Sequence, residues 1–222
     1  MQTKDFRGLI EENNDGVDIL NINELHDIFL SKKSMSKHVL TIYSMVIGLN
    51  AKNILDIGYG YSTRAILSAL RYTGGKLTTI DFDYSRWQDK IHHNIPNWKF
   101  IIGPSAQVLS MSCFGPYDFI MHDGAHDYEN VKNDLEILIP RLKQFGILCV
   151  HDTQFDTLGE QMRAAVIDAC KDFNVSSTTL PYCCGFTIIR NEQDFGYGKI
   201  KCSFEHERGG YHDKPESLIL KS

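Results

Sequence analysis

Five short apolar runs in the chain each end in side chains that could bind a ligand or move a proton. The acids, histidines and hydroxyl at these ends are Asp56, Asp81, Ser105, Asp123 with His126, and His151 with Asp152. An acid at a single strand end is commonly a helix cap. Because the carboxyl ends of parallel strands meet at one edge of a sheet, five such ends in succession predict a shared site.

Asp123 and Asp152 could hold one divalent cation, since they end strands that are expected to be neighbours. Carboxylate oxygens without cysteine favour Mg²⁺, Ca²⁺ or Mn²⁺ over structural zinc. His151 is a third candidate ligand, but consecutive residues of a strand point to opposite faces, which makes either His151 or Asp152 the poorer ligand. Asp152 could instead cap a helix together with Thr153.

His126 follows Asp123 by three residues and is the candidate general base. An imidazole titrates near neutral pH and could take a proton from a hydroxyl as a bond forms to its oxygen. A lone histidine in a loop is more often a surface residue, so this role depends on Asp123 as a neighbour. The i, i+4 pair His122 and His126 does not predict a zinc-binding helix face, because Gly124 and a strand end interrupt it.

A strand, a tight turn and a helix start are predicted over Asn53–Thr63. Gly58 and Gly60 allow a sharp bend in which a ligand meets bare amides at a helix N-terminus. Ser62 or Thr63 could cap that helix. The residues of this turn that we expect to contact a cofactor are Asp56, Gly58, Tyr59, Gly60 and Ser62.

The identity of that cofactor depends on the residues around the glycines. A dinucleotide-binding turn would have a small residue where Thr63 stands. Asp56 would repel a pyrophosphate but attract an ammonium group, such as the amino-acid end of S-adenosylmethionine. Asp81, 21 residues after Gly60, ends the next predicted strand and could take both hydroxyls of a ribose. Because NAD also carries ribose, Asp81 does not discriminate, and a nicotinamide-dependent dehydrogenase is an alternative.

Strands alternate with helices along the chain, which predicts an α/β fold with a doubly wound, mostly parallel sheet. Helices are predicted over 34–49, 62–72, 85–95, 106–111, 129–143 and 159–173, and strands over 54–57, 77–80, 98–102, 117–121 and 147–150. Two further strands are expected within 176–190. We divide the chain into an N-terminal cap segment (1–34), the main domain (35–190) and a C-terminal tail or lid (191–222).

Composition narrows the class of protein. The 222 residues carry 23 basic and 28 acidic side chains, for a net charge of −5, which argues against nucleic acid as a partner. The first 15 residues lack a basic-then-apolar signal, and no apolar run approaches the roughly 20 residues that span a bilayer. We therefore expect a cytoplasmic protein without a membrane partner. The six cysteines contain no C-x-x-C pair and are expected to be reduced thiols.

These motifs together resemble the class I S-adenosylmethionine-dependent methyltransferases over about residues 35–190. Ile54–Thr63 looks like the family's first motif in its O-methyltransferase form, and Asp81 matches its ribose-binding acid. The segments Tyr117–Tyr128 and Gly146–Thr153 resemble the branch with macrolide sugar O-methyltransferases and cephalosporin-hydroxylase-like proteins. Leu180–Arg190 looks like the family's closing antiparallel hairpin.

The resemblance implies a function and roles for several residues. In the macrolide sugar enzymes an Asp and a later Glu-Asp pair hold Mg²⁺, and a His three residues after the first Asp is the base. Asp123, Asp152 and His126 match these positions, whereas His151 stands where those enzymes have Glu. The implied activity is methyl transfer to a hydroxyl of a small, polar, sugar-like acceptor. The sequence leaves the oligomeric state open, with a homo-oligomer as one option. A protein of the same fold with hydroxylase-type activity or none is the alternative.

Overall fold

The computed structural model describes residues 22–83, 95, 97–111, 115–154 and 156–193. The predicted N-terminal cap segment therefore lies outside the described residues as far as residue 21. The helix expected over 85–95 lies outside them except at residue 95, and so does the predicted tail from residue 194 onward.

The described residues form one sheet of seven strands in the order β3-β2-β1-β4-β5-β7-β6. Its strands are β1 Asn53–Ile57, β2 Lys76–Asp81, β3 Trp98–Ile102, β4 Tyr117–His122, β5 Leu142–His151, β6 Val175–Leu180 and β7 Phe186–Asn191. Strands β1 to β5 pair in parallel, and β7 pairs antiparallel with both β5 and β6. The doubly wound, mostly parallel sheet and the late antiparallel hairpin are thus confirmed.

Helices cover both faces of this sheet. They are α1 Ile22–Leu30, α2 Val39–Gly48, α3 Tyr61–Thr73, α4 Ser105–Met111, α5 Tyr128–Leu138 and α6 Asp156–Cys170, with short 3₁₀ helices at Met35–His38 and Ile139–Arg141. Side chains of α1, α2 and α3 pack in one core cluster, and those of α4, α5 and α6 pack in a second cluster across the sheet. Strands buried on both faces explain the continuous apolar runs seen in the sequence.

The topology places the site between β1 and β4. The chain builds β1, β2 and β3 toward one edge of the sheet and then crosses back to add β4 and β5 on the other side of β1. In open parallel sheets such a reversal leaves a crevice at the carboxyl ends of the strands, where ligands bind.

The boundary between α5 and β5 differs from the prediction. A helix was expected through residue 143, but α5 ends at Leu138, a 3₁₀ turn carries Pro140, and β5 already begins at Leu142. The apolar spacing could not reveal this, because Leu142 continues the helical stripe yet pairs with Tyr117 of β4. Proline cannot supply the amide that a longer helix would require.

Among the described residues, no helix combines the length and the apolar character needed to span a lipid bilayer.

Candidate active site

A cavity of about 650 Å³ opens at the carboxyl edge of the sheet. Seven of the sequence-predicted site residues line it: Gly58, Asp81, Ser105, Asp123, His126, His151 and Asp152. These residues follow or end β1 to β5, so the topology does bring the five strand ends together, as expected. Asp56, Tyr59, Gly60 and Ser62 are not among the residues that line the cavity.

The glycine turn and the loop after β4 touch through their backbones. Gly58 has φ +92°, and a Cβ built on it would lie 2.1 Å from the carbonyl oxygen of Asp123. The Asp123 amide donates to the Ile57 carbonyl at 2.8 Å. Only glycine therefore fits at position 58, since any side chain would collide with backbone and strain the chain.

Asp56 lies behind the turn rather than on the cavity wall. Its side chain is fully buried and accepts hydrogen bonds from the hydroxyls of Ser62, at 3.2 Å, and Thr63. Burial raises the pKa of Asp56 to about 8. The Gly60 amide donates to the Thr63 hydroxyl, so these residues together fix the start of α3. The expected attraction of Asp56 for an ammonium group stays a prediction.

Asp81 ends β2 and is held by backbone amides. Its Oδ2 accepts from the Tyr59 amide at 2.7 Å, and its Oδ1 accepts from the Asp83 amide at 2.8 Å. Each carboxylate oxygen can accept more than one hydrogen bond, so both are able to take a ribose hydroxyl as well. Tyr59 thus contributes its amide to holding the ribose-binding candidate, and its ring packs near Trp98 and Phe100.

Two acids and two histidines cluster on the other side of β1. His126 Nε2 lies 2.7 Å from Asp152 Oδ2 and 3.9 Å from Asp123 Oδ1. His151 Nδ1 lies 3.1 Å from Asp152 Oδ1 and 3.3 Å from Asp123 Oδ1. The four side chains that the sequence placed at the ends of β4 and β5 are therefore one cluster.

The backbone at Asp152 explains why His151 and Asp152 both reach this cluster. Asp152 has φ +58° and lies one residue beyond β5, so the alternation of faces along a strand does not apply to it. The following Gln154 amide donates to the Cys184 carbonyl at 2.8 Å and holds the loop. The competing interpretation was that Asp152 caps the following helix. Helix α6 begins only at Asp156, four residues later, so Asp152 is not at its N-cap position.

Contacts within the cluster shift the pKa values of His126, His151 and Asp152. The hydrogen bond to Asp152 raises the pKa of His126. Burial opposes the protonation of His151, but the contacts with Asp123 and Asp152 outweigh it and raise the pKa of His151 to about 9. Burial would likewise raise the pKa of Asp152, yet the two histidines hold it well below its usual range.

The same cluster offers ligands for a cation. One oxygen each of Asp123 and Asp152 and a ring nitrogen of His126 all lie within 4.8 Å of one another. Two carboxylates and an imidazole suit a divalent cation such as Mg²⁺ or Mn²⁺. The histidine in this set is His126, whereas the sequence had suggested His151 as the third ligand, and that choice stays a prediction.

Sequence reasoning missed several residues of the cavity wall. Met35 lines it from the first position of the 3₁₀ helix before α2, Ser34 lines it from the residue before that helix, and Asn130 lines it from α5. Phe82 also lines it and is 75% exposed. An exposed aromatic residue directly after Asp81 was a usable signal, but nothing in the pattern around Ser34 indicated a site.

The comparisons with known proteins agree with this architecture. Residues 55–153 match the model of a methyltransferase domain family. The search of curated proteins found no match for the chain.

Several solved structures share the fold. A candidate caffeoyl-CoA O-methyltransferase from Staphylococcus aureus is 18% identical with a TM-score of 0.60, covering 77% of this chain and 88% of that one. The Podospora anserina methyltransferase PaMTH1, solved with S-adenosylhomocysteine, is 20% identical with a TM-score of 0.60, covering 75% and 81%.

A third structure is MycE of the mycinamycin biosynthetic pathway, solved with Mg, S-adenosylhomocysteine and mycinamycin VI. It is 17% identical with a TM-score of 0.55, covering 84% of this chain but 58% of the longer MycE chain. Residues 55–153 thus match a methyltransferase domain family, and the sheet order and the glycine turn beside Asp81 agree with the fold of the class I S-adenosylmethionine-dependent methyltransferases.

Proposed function

We propose that the protein transfers the methyl group of S-adenosylmethionine to a hydroxyl of a small, polar, sugar-like acceptor. The observation that carries this proposal is the cluster of Asp123, His126 and Asp152 in the same cavity as Gly58 and Asp81. A sulfonium is already a strong methyl donor, so the protein must mainly align donor and acceptor and make the acceptor oxygen a better nucleophile.

The donor side of the cavity performs the alignment. The bare backbone at Gly58 lets the cofactor approach the turn closely, and Asp81 takes the ribose hydroxyls. Asp81 needs no reorganisation for this, because two amides already orient its carboxylate. The acceptor then enters from the side of Asp123, Asn130 and Asp152, whose polar groups suit a partner with several hydroxyls.

His126 acts as the general base in this proposal. Its Nε2 faces Asp152 at 2.7 Å, which favours the tautomer with the proton on Nε2 and leaves the Nδ1 lone pair to accept a proton. Asp152 then stabilises the imidazolium that forms, as the raised pKa of His126 indicates. When bound to Asp123 and Asp152, a divalent cation supplies Lewis acidity that lowers the pKa of the acceptor hydroxyl.

The test is a transfer assay with methyl-labelled S-adenosylmethionine over sugars, nucleotide sugars and catechols. Replacing the base, His126→Ala, should lower turnover by about 10²- to 10⁴-fold. Its affinity for S-adenosylhomocysteine should stay within about twofold of the wild type, since His126 lies on the acceptor side. His26→Ala is the matched control, because His26 is an exposed histidine of α1.

Three outcomes would change the proposal in different ways. Full turnover of His126→Ala at neutral pH would show that His126 is not the general base. Activity that survives prolonged chelation would show that no cation is required, while methyl transfer would still stand. A product that gains one oxygen instead of one CH₂ would show that the reaction is hydroxylation and not methyl transfer.

A further inference from the structure

A buried polar network lies directly behind the cavity wall. The Ser105 hydroxyl donates to Asp134 Oδ2 at 2.6 Å, and His122 Nε2 lies 3.1 Å from the same oxygen. The side chains of His122 and Asp134 are both fully buried. The network therefore joins the first residue of α4, the middle of α5 and the last residue of β4, and only Ser105 reaches the cavity.

The network fixes the direction of the Ser105 hydroxyl. A serine hydroxyl has one hydrogen and two lone pairs, and an ionised carboxylate accepts only. Because the single hydrogen of Ser105 is directed to Asp134, its oxygen presents lone pairs to the remaining space around it. On the cavity side Ser105 is then an acceptor and not a donor.

Ser105 stands on the ribose-binding side of the cavity. Ile102, the last residue of β3, pairs with Asp81 of β2. The Gly103 amide also donates to the Asp81 carbonyl at 2.9 Å. A nucleoside whose ribose is held by Asp81 therefore has its base within this part of the cavity, where Phe82, Pro104 and Ala106 supply apolar wall.

We propose that Asp134 is a positioning residue that holds the Ser105 hydroxyl as a hydrogen-bond acceptor and thereby selects adenine over hypoxanthine in the cofactor. Adenine carries an amino donor where hypoxanthine carries a carbonyl acceptor. A Ser105 hydroxyl that can only accept a hydrogen bond pairs with the amino group of adenine but leaves the carbonyl of hypoxanthine without a partner. The proposal rests on S-adenosylmethionine being the cofactor of this domain.

A purely structural role for Asp134 is the competing explanation. In that case the carboxylate only ties α4 to α5, and its loss would weaken folding without changing which base is preferred. The two explanations differ in one observable, the ratio of the affinities for the adenine and hypoxanthine forms of the same ligand.

The experiment is calorimetric titration of the full chain with S-adenosylhomocysteine and with S-inosylhomocysteine. The variants are Ser105→Ala, Asp134→Ala and the double variant. Val131→Ala is the matched control, since Val131 is a buried residue one turn earlier on α5 and takes no part in the network. Thermal unfolding of each variant separates changes in stability from changes in preference.

The wild type should prefer the adenine ligand, and each single variant should reduce that preference by about three- to tenfold, the usual size of one neutral hydrogen bond. The double variant should reduce it no further, because Asp134 acts through Ser105. Val131→Ala should lower the unfolding temperature and keep the wild-type preference.

An unchanged preference in Asp134→Ala, while S-adenosylhomocysteine still binds the wild type, would overturn the positioning role and leave the cofactor in place. Additive losses in the double variant would also overturn it, since they would mean that Asp134 does not act through Ser105. Failure of the wild type to bind S-adenosylhomocysteine would instead overturn the cofactor and, with it, this proposal.

Discussion

The two sides of the site, the cavity wall together with the residues directly behind it, hold their carboxylates in different ways. On the side of β1 and β2, Asp56 and Asp81 receive hydrogen bonds from hydroxyls and amides, all of them neutral donors of the fold. On the side of β4 and β5, Asp123 and Asp152 have two histidines as partners. The first half is organised by neutral hydrogen-bond donors, and the second half is organised by charges that depend on pH.

The largest expected effect comes from breaking the backbone contact that joins the two halves. Gly58→Ala would place a Cβ 2.1 Å from the Asp123 carbonyl oxygen at a φ of +92°. We expect a loss of about 4 kcal/mol in the free energy of unfolding, because strain and a backbone collision add together. Urea denaturation measures this loss.

Gly60→Ala is the matched control for that variant. Gly60 is the other glycine of the turn, has an extended φ of −177°, and has no atom within 4 Å of an added Cβ. It should lose only about 1 kcal/mol, as expected for alanine at a helix N-cap. Equal losses at positions 58 and 60 would show that the contact with Asp123 has no special weight.

The next effect tests whether Asp56, on the side with neutral donors, is itself a neutral acid in the folded protein. The pKa of Asp56 is about 8 in the folded chain and 3.8 in a free aspartate, so the folded state holds the extra proton between these values. Stability should therefore fall as pH rises from about 4 to 8, by at most about 1.4 kcal/mol per unit for this one group.

Asp56→Asn removes that titration while keeping an acceptor for Ser62 and Thr63. The free energy of unfolding of the variant, measured in urea from pH 5 to 8, should decline less steeply than that of the wild type. Parallel pH profiles would mean that Asp56 is ionised in the folded protein.

The smallest effect belongs to the charged half. Asp152→Asn keeps a residue type that tolerates φ +58° but removes the charge beside His126 and His151. Both histidine pKa values should fall in the chelated protein, as followed by NMR of the imidazole protons. Asp118→Asn removes an acid that pairs with Lys143 instead, and it should leave both histidines unchanged.

Stability should follow the same cluster. The pKa values of His126 and His151 are higher in the folded protein than the 6.5 of a free histidine. Their protonation therefore stabilises the fold fully below pH 6.5, and this stabilisation is lost as pH rises toward 9. The pKa of Asp152 is lower in the folded protein than the 3.8 of a free aspartate, so its ionised carboxylate stabilises the fold fully only above about pH 3.8. The gap in unfolding temperature between wild type and Asp152→Asn should therefore be widest between about pH 4 and 6.5. A gap that widened above pH 8 would contradict this assignment.

The sheet and the set of strand ends were predictable because both depend on local patterns. Apolar runs that alternate with helical stripes fix the parallel topology, and the acids stand at the ends of those runs. Asp81, Asp123 and Asp152 could be found in this way. What the pattern cannot supply is the direction of a side chain, which depends on single backbone angles.

Asp56 and Asp152 show this limit most clearly. The sequence indicated an acid near the mouth of the turn, but not that Asp56 is fully buried with Ser62 and Thr63 as its hydrogen-bond donors. His151 and Asp152 were expected to diverge, but a positive φ at Asp152 brings them to one cluster. The contribution of Ser34 and Met35 depends on how the 3₁₀ helix before α2 lies over the sheet, which no periodicity encodes.

The contact between Gly58 and the Asp123 carbonyl also bears on how new acceptor preferences could arise. Because the two loops share a backbone surface with no room for a methyl group, neither can be exchanged for a homologous loop on its own. Ser34 and Asn130 line the cavity from outside these two loops, and neither of them is buried. Laboratory evolution toward other acceptors should therefore accumulate substitutions at these two positions and spare the paired loops.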